Sequence, residues 1–440
     1  MIRSKQGLRT AIIAGAGILA VVLSGCAAGD TSSTTAAGGD SYSKAECASG
    51  ATTDKNLVVG TILPVTGSLA YLNPPEQAGV GLAVSDINAA GGVNGVDACV
   101  LAADSGDSTD LTVSTNAAQK LITAKVSVAI GAASSSVSLN VVDSFASAKI
   151  VQISPANTAA SLSGYGPYYW RTAPPDSVQG SALGQLVTGD GNAKVAFLVF
   201  NDSYGTGLRD FTQKSIEASG GTVVYGGTGA GQEFPPGQTT FSSEVTAALA
   251  TSPDAIVVLA FDETKSIIPE LVAQGWAVDK TYMSDGNTAD YGSDFEAGTL
   301  KDAQGTIPGA FPNDEFKGKL VSWYKDAEGA DLEDFSYGPE SYDATILSAL
   351  AALKAKSNVS DDLQKELAAV SGANGGTKCS TFAECSKLVE AGTDIQYTGQ
   401  AGVGPFNEKN DPSSAFIGIY KFDENNKPIW KSAIEGQTSY

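Results

Sequence analysis

The 440-residue chain contains no histidine. That absence removes Ser-His-Asp and Cys-His catalysis and every His-ligated metal centre. No phosphate-cradling P-loop signature is present either. Ser322-Trp323-Tyr324-Lys325 has Ser-x-x-Lys spacing, but the Lys-Thr-Gly partner of acyl-enzyme chemistry is missing, and the motif falls on an amphipathic helical pattern. Positive charge is scarce: 27 Lys and Arg face 48 Asp and Glu, for a net charge of −21. A chain so poor in basic residues is not built to neutralise phosphates, which excludes nucleic acid as a partner. After the N-terminus no stretch approaches the ~18 apolar residues of a membrane-spanning helix. Asp104, Asp107 and Asp110 do not follow the spacing of a calcium-binding EF-hand loop and read as a solvated strand end. No metal and no cofactor are expected.

The N-terminus has what the rest lacks. Arg3, Lys5 and Arg9 precede an apolar run from Ala11 to Leu23, too short for a permanent span, so residues 1–25 read as a secretory signal. Leu23-Ser24-Gly25-Cys26 resembles the lipobox of bacterial lipoproteins. That implies lipid modification of Cys26 and anchoring to the bacterial cell membrane, outside the cytoplasm. Cleavage removes three basic residues and takes the charge from −21 to −24. Residues 26–55 are expected to be a flexible tether, since 27–46 are mostly Ala, Gly, Ser, Thr and Asp with almost nothing to bury. Cys47, Cys99, Cys379 and Cys385 then remain, an even number that suggests two disulfides in an exported chain. Four cysteines allow three pairings. Cys379 and Cys385 close a short local loop, which leaves Cys47 for Cys99.

From Leu57 onward, short buried-type strands alternate with helical periods. Strands are expected at 57–63, 126–131, 150–153, 195–200 and 255–260, and helices at 75–90, 202–218, 264–274 and 342–355. This alternation argues for an α/β fold of parallel βαβ units with helices on both sheet faces. A body of about 380 residues exceeds one core, so two doubly wound lobes are expected. We place lobe 1 at 56–173 plus 307–412 and lobe 2 at 174–306 plus 413–440. The chain would cross between them near Arg171–Asp176, near Gly305–Pro312 and near Asn410–Ser414.

In such sheets ligands bind beyond the carboxyl ends of the strands. The segments placed there are Pro64-Val65-Thr66-Gly67 through Tyr71, Ala132-Ala133-Ser134-Ser135-Ser136, Ser154-Pro155-Ala156-Asn157-Thr158, Asn201-Asp202-Ser203-Tyr204-Gly205, Phe261, and Ser284-Asp285-Gly286. These segments resemble those of the type I periplasmic binding proteins that serve branched-chain amino-acid ABC transporters, the leucine/isoleucine/valine-binding family. The likeness extends through Asp86–Gly95, Arg171-Thr172 with Asp176 and Gln179-Gly180, and Ser341-Tyr342-Asp343-Ala344. It covers roughly residues 57–440 in order.

The resemblance implies two lobes joined by a three-strand hinge, no catalysis, a monomer, and ABC permease subunits as partners. Ser135, Ser136 and Thr158 would hold a ligand carboxylate, since hydroxyls and free N–H groups at a helix start favour an anion. The same serines could be simple helix caps. Asp285 matches the acidic position that holds a ligand ammonium, with the carbonyl of Ala156 beside it; Asp-Gly is also a common turn. Tyr71, Tyr204 and Phe261 would wall an apolar side chain. The expected cargo is a branched-chain or other apolar amino acid. Within the same fold the alternatives are an amide, urea or small carboxylate, and, in another role, a sensory ligand-binding subunit.

Overall fold

The computed structural model describes residues 41–438. The signal segment and Cys26 lie outside them. Two sheets organise the chain. The first has five parallel strands in the order β2-β1-β3-β4-β5: β1 Val58–Leu63, β2 Cys99–Asp104, β3 Val128–Gly131, β4 Gln152–Ser154 and β5 Tyr169–Arg171. Strand β1 (VVGTIL) is buried at all six positions, the continuous apolar run of a central parallel strand covered on both faces. The second sheet contains β6 Lys194–Val199, β7 Thr222–Tyr225, β8 Ala255–Leu259, β9 Thr281–Met283 and β10 Gln304–Pro308. After a small parallel pair, β11 Thr377–Cys379 with β12 Ile395–Tyr397, it gains β13 Ser414–Phe422 and β14 Pro428–Gln437. Its order is β14-β13-β10-β9-β8-β6-β7, with β13 and β14 antiparallel.

Helices fill the crossovers. In chain order they include α1 Asn73–Ala89, α2 Leu111–Ala124, α3 Ser135–Ser147, α4 Asp176–Gly189, α5 Ser203–Ala218, α6 Ser242–Ala250, α7 Thr264–Ala273, α8 Asp314–Glu328 and α9 Gly338–Ala355. Helices α1, α8 and α9 share one apolar core with the first sheet, whereas α2 and α3 share another with β1–β3. Near-backbone approach sets the α1–α9 spacing, because a Cβ on Gly79 would stand 2.2 Å from the Gly338 carbonyl oxygen.

The chain leaves the first sheet after β5, returns after β10 to pack α8 and α9 against it, and joins the second sheet again at β13. Arg171 ties the first and third of these passages together. It is fully buried and its Nε lies 2.5 Å from Asp411 Oδ1.

Two segments differ from the sequence reading. Residues 41–55 were expected within the tether, yet Val100 donates its N–H to the Ala45 carbonyl (2.7 Å), Cys47 donates to Val100 (3.0 Å), and Lys44 pairs with Glu328 at 2.6 Å. The exposed edge of β2 offers unpaired backbone groups, and this segment takes them up. Tyr42 already belongs to the folded body: its N–H meets Asp326 at 2.9 Å. Asp107 is not solvated but 8% exposed; its carboxylate accepts from Ser68 and Thr109 and shapes the loop after β1. Disulfides join Cys47 to Cys99 and Cys379 to Cys385.

Candidate functional site

Strand order reverses between β1 and β3 in the first sheet and between β6 and β8 in the second. The loops that leave these strands face one another across the gap between sheets, the crevice where parallel α/β sheets bind ligands. Gly131 ends β3 with φ +122°, and a Cβ there would meet the Ile62 carbonyl oxygen at 2.1 Å. Only glycine turns the chain this tightly into the serine loop.

That loop starts α3. Ser134 is its N-cap and accepts from Val137 N–H, which leaves Ser135 and Ser136 in the first turn. Ser135 Oγ accepts the Ala159 N–H at 3.2 Å, bringing the 156–159 loop beside the helix start. Arg171 braces the same loop, donating Nη1 to the carbonyls of Asn157 (3.2 Å) and Ala159 (2.9 Å) on either side of Thr158. Thr158 is buried, with its hydroxyl beside the Asp176 carboxyl.

Asp285 follows β9 on the opposite side and is 7% exposed. Its Oδ1 accepts from Gln179 Nε2 and from the Tyr204 hydroxyl, both at 2.7 Å, and its Oδ2 accepts from the Tyr337 hydroxyl at 2.6 Å. Burial pushes the Asp285 carboxyl above the usual carboxylate range, and the tyrosine and glutamine donors work against that shift. Tyr204 and Phe261 stack with ring centroids 5.6 Å apart and planes 12° from parallel.

These groups share one cavity. Ser135, Ala156 and Thr158 line it from the first sheet's loops, and Tyr204, Phe261 and Asp285 from the second's. Its volume is about 20 Å³, room for a water and too little for an amino acid, so the lobes must part to admit one. Hydrogen bonds between them include Tyr71 hydroxyl to the Asp285 carbonyl (2.9 Å), Ser136 Oγ with Ser203 Oγ (2.9 Å), and Tyr337 hydroxyl to Asp285.

Two residues singled out from the sequence stand outside this cavity. Ser136 spends its hydroxyl on Ser203, and Tyr71 lines a neighbouring void of about 160 Å³ with Phe261 and Gly286. The sequence reading missed Tyr337, Leu69 and Leu72, which do line the central cavity. Tyr337 precedes α9, far from any strand end, with φ +60°; nothing in the local pattern marks it.

This architecture, two doubly wound sheets closing on a cavity between their strand ends, is that of a type I periplasmic binding protein. The periplasmic binding protein family profile matches residues 56–390, and the chain belongs to that family. The Leu/Ile/Val-binding protein homolog 1 of Brucella abortus is 30% identical over 181 residues, which is 40% of this chain and 48% of that protein. The matched part thus spans about half the length of such curated relatives. The branched-chain amino-acid transporter substrate-binding protein LivJ of Streptococcus pneumoniae, solved with isoleucine, superposes with a TM-score of 0.67 at 21% identity, covering 87% of this chain and 100% of that one. A Rhodopseudomonas palustris solute-binding protein solved with 4-hydroxybenzoate gives 0.69 at 17% identity, covering 87% and 97%. At these identities the structures establish the fold. Family members bind solutes and are not enzymes, and the family places the protein outside the cytoplasm.

Proposed function

We propose that the protein is a lipid-anchored solute receptor, tethered through Cys26, that delivers a branched-chain or other apolar amino acid to an ABC importer. One observation supports the cargo assignment above the others: a helix start bearing Ser135 and an acidic side chain, Asp285, line opposite walls of one cavity. A zwitterion satisfies both. Its carboxylate meets the N–H groups and hydroxyls at the start of α3 and Thr158. Its ammonium meets Asp285 and the Ala156 carbonyl, where charge-assisted hydrogen bonds contribute ~1.5–3 kcal/mol each. Tyr204 and Phe261 supply the apolar wall, with Tyr71 at its edge.

The mechanism is hinge closure. With the lobes apart, Asp285 exchanges the Tyr337 donor for the ammonium; with the lobes together, both poles of the ligand are enclosed, so the ligand favours the closed state by its additional contacts there. The closed form then docks on permease subunits, and the protein acts as a monomer. A monocarboxylate is a poorer cargo because it brings no cation to Asp285.

Asp285→Asn tests the assignment by calorimetry. Leucine should bind at least about tenfold more weakly to the variant, the loss of one charge-assisted bond, whereas 4-methylpentanoate, leucine without its ammonium, should lose little. Equal losses for the two ligands would refute the ammonium role of Asp285.

A further inference from the structure

We infer that a second cavity, on the far side of Tyr337 from the amino-acid site, binds an organic ammonium ion. Its volume is about 560 Å³, within the range of small-molecule sites at roughly 300–1,000 Å³. Nothing in the proposed transport cycle uses it.

The walls define the ligand's chemistry. Phe311, Phe335, Tyr420 and Trp430 line the cavity, and the Phe311 and Trp430 rings lie 5.5 Å apart while remaining 40% and 38% exposed. An exposed aromatic pair rimmed by charge marks an interaction site. The rings already accept a cation from the chain itself, since Lys317 Nζ stands 4.7 Å from the Phe311 centroid and 5.2 Å from that of Phe335.

Acidic groups outnumber basic ones. Asp290 and Glu333 share Lys427, at 2.8 and 3.5 Å. Asp334 and Glu340 also line the cavity, and among the described residues neither forms an ion pair. Burial pushes the Glu340 carboxyl well above the usual carboxylate range, toward its neutral form, so Asp334 is the carboxyl left to attract a positive charge. A bare metal ion fits poorly: the space far exceeds one ion, and among the described residues no group of three or more His, Cys, Asp or Glu could hold a metal. Aromatic faces beside a carboxylate without an ion pair select an alkylammonium or quaternary ammonium head.

The site's position gives it a way to act on the main one. The second passage between lobes, Ile307 to Pro312, forms part of its lining, and Tyr337 is a wall common to both cavities. An occupant there contacts the same tyrosine that latches Asp285.

The test is calorimetry on the purified chain with choline and with 3,3-dimethylbutan-1-ol, its neutral isostere. Choline should bind saturably and the alcohol should not. Trp430→Ala and Asp334→Asn should each weaken choline by roughly 3- to 30-fold, and Trp430→Phe should retain most of the affinity. Thermal unfolding of each variant checks that the fold is intact. The proposal is overturned if choline shows no saturable binding, if the alcohol binds equally well, or if affinity does not fall with Trp430→Ala and Asp334→Asn.

Discussion

Asp176 shows how much of this protein's chemistry rests on carboxyl groups held away from water. It opens α4 and is fully buried beside the Thr158 hydroxyl. Burial pushes its carboxyl from an ordinary 3.8 up to about 8. Between those values the folded state holds a proton that the unfolded state has released, so the contribution to stability is complete below about pH 4 and is lost as the pH rises to about 8. Chemical unfolding of the wild type and of Asp176→Asn across this interval should show the wild type losing stability relative to the variant, with a constant difference above pH 8. A difference independent of pH would contradict the buried, protonated state. At this scale the sequence was partly legible. Ser135, Thr158, Tyr204, Phe261 and Asp285, which line the central cavity, each follow a strand end, a position set by local pattern. Tyr337 and the Gln179–Asp285 bond depend on how distant segments meet, and no local pattern encodes that.

Among the elements, the edge of β2 is where expectation and structure diverged most. Composition alone marks residues 27–55 as a linker, and it cannot report that a free strand edge lies within reach of Ala45 and Cys47. The disulfides then weigh differently on the fold. Cys47–Cys99 spans 52 residues and Cys379–Cys385 only 6. In the chain-entropy account, closing those loops is worth about 4 and about 2 kcal/mol respectively. Denaturant melts should therefore show Cys47→Ser costing more than Cys379→Ser. The reverse order would mean that residues 41–55 add little to the first sheet. The strands themselves were readable to within two residues in most cases, as at β1 and β8, because buried parallel strands are uninterrupted apolar runs. The short β5, Tyr169–Arg171, sits among turn-forming residues and left no such signal.

For the whole molecule, the two sheets, the three passages and the closed gap between them follow from one topology. The cores show how tightly the gap is shut: Leu69, Leu72, Ala133 and Ala156, from the first sheet's loops, belong to the apolar cluster of the second sheet. A ligand must first separate these contacts and then repay them, so affinity depends on groups engaged only after closure. Its binding also stabilises the fold, by ~2.7 kcal/mol at 100 times the dissociation constant. The central claim is that both poles of an amino acid are needed. The most direct measurement is a thermal-shift and calorimetric comparison of leucine, 4-methylpentanoate and 3-methylbutylamine on the wild-type chain. Leucine should bind far more tightly than either one-pole analogue; an analogue that matches it would contradict the account.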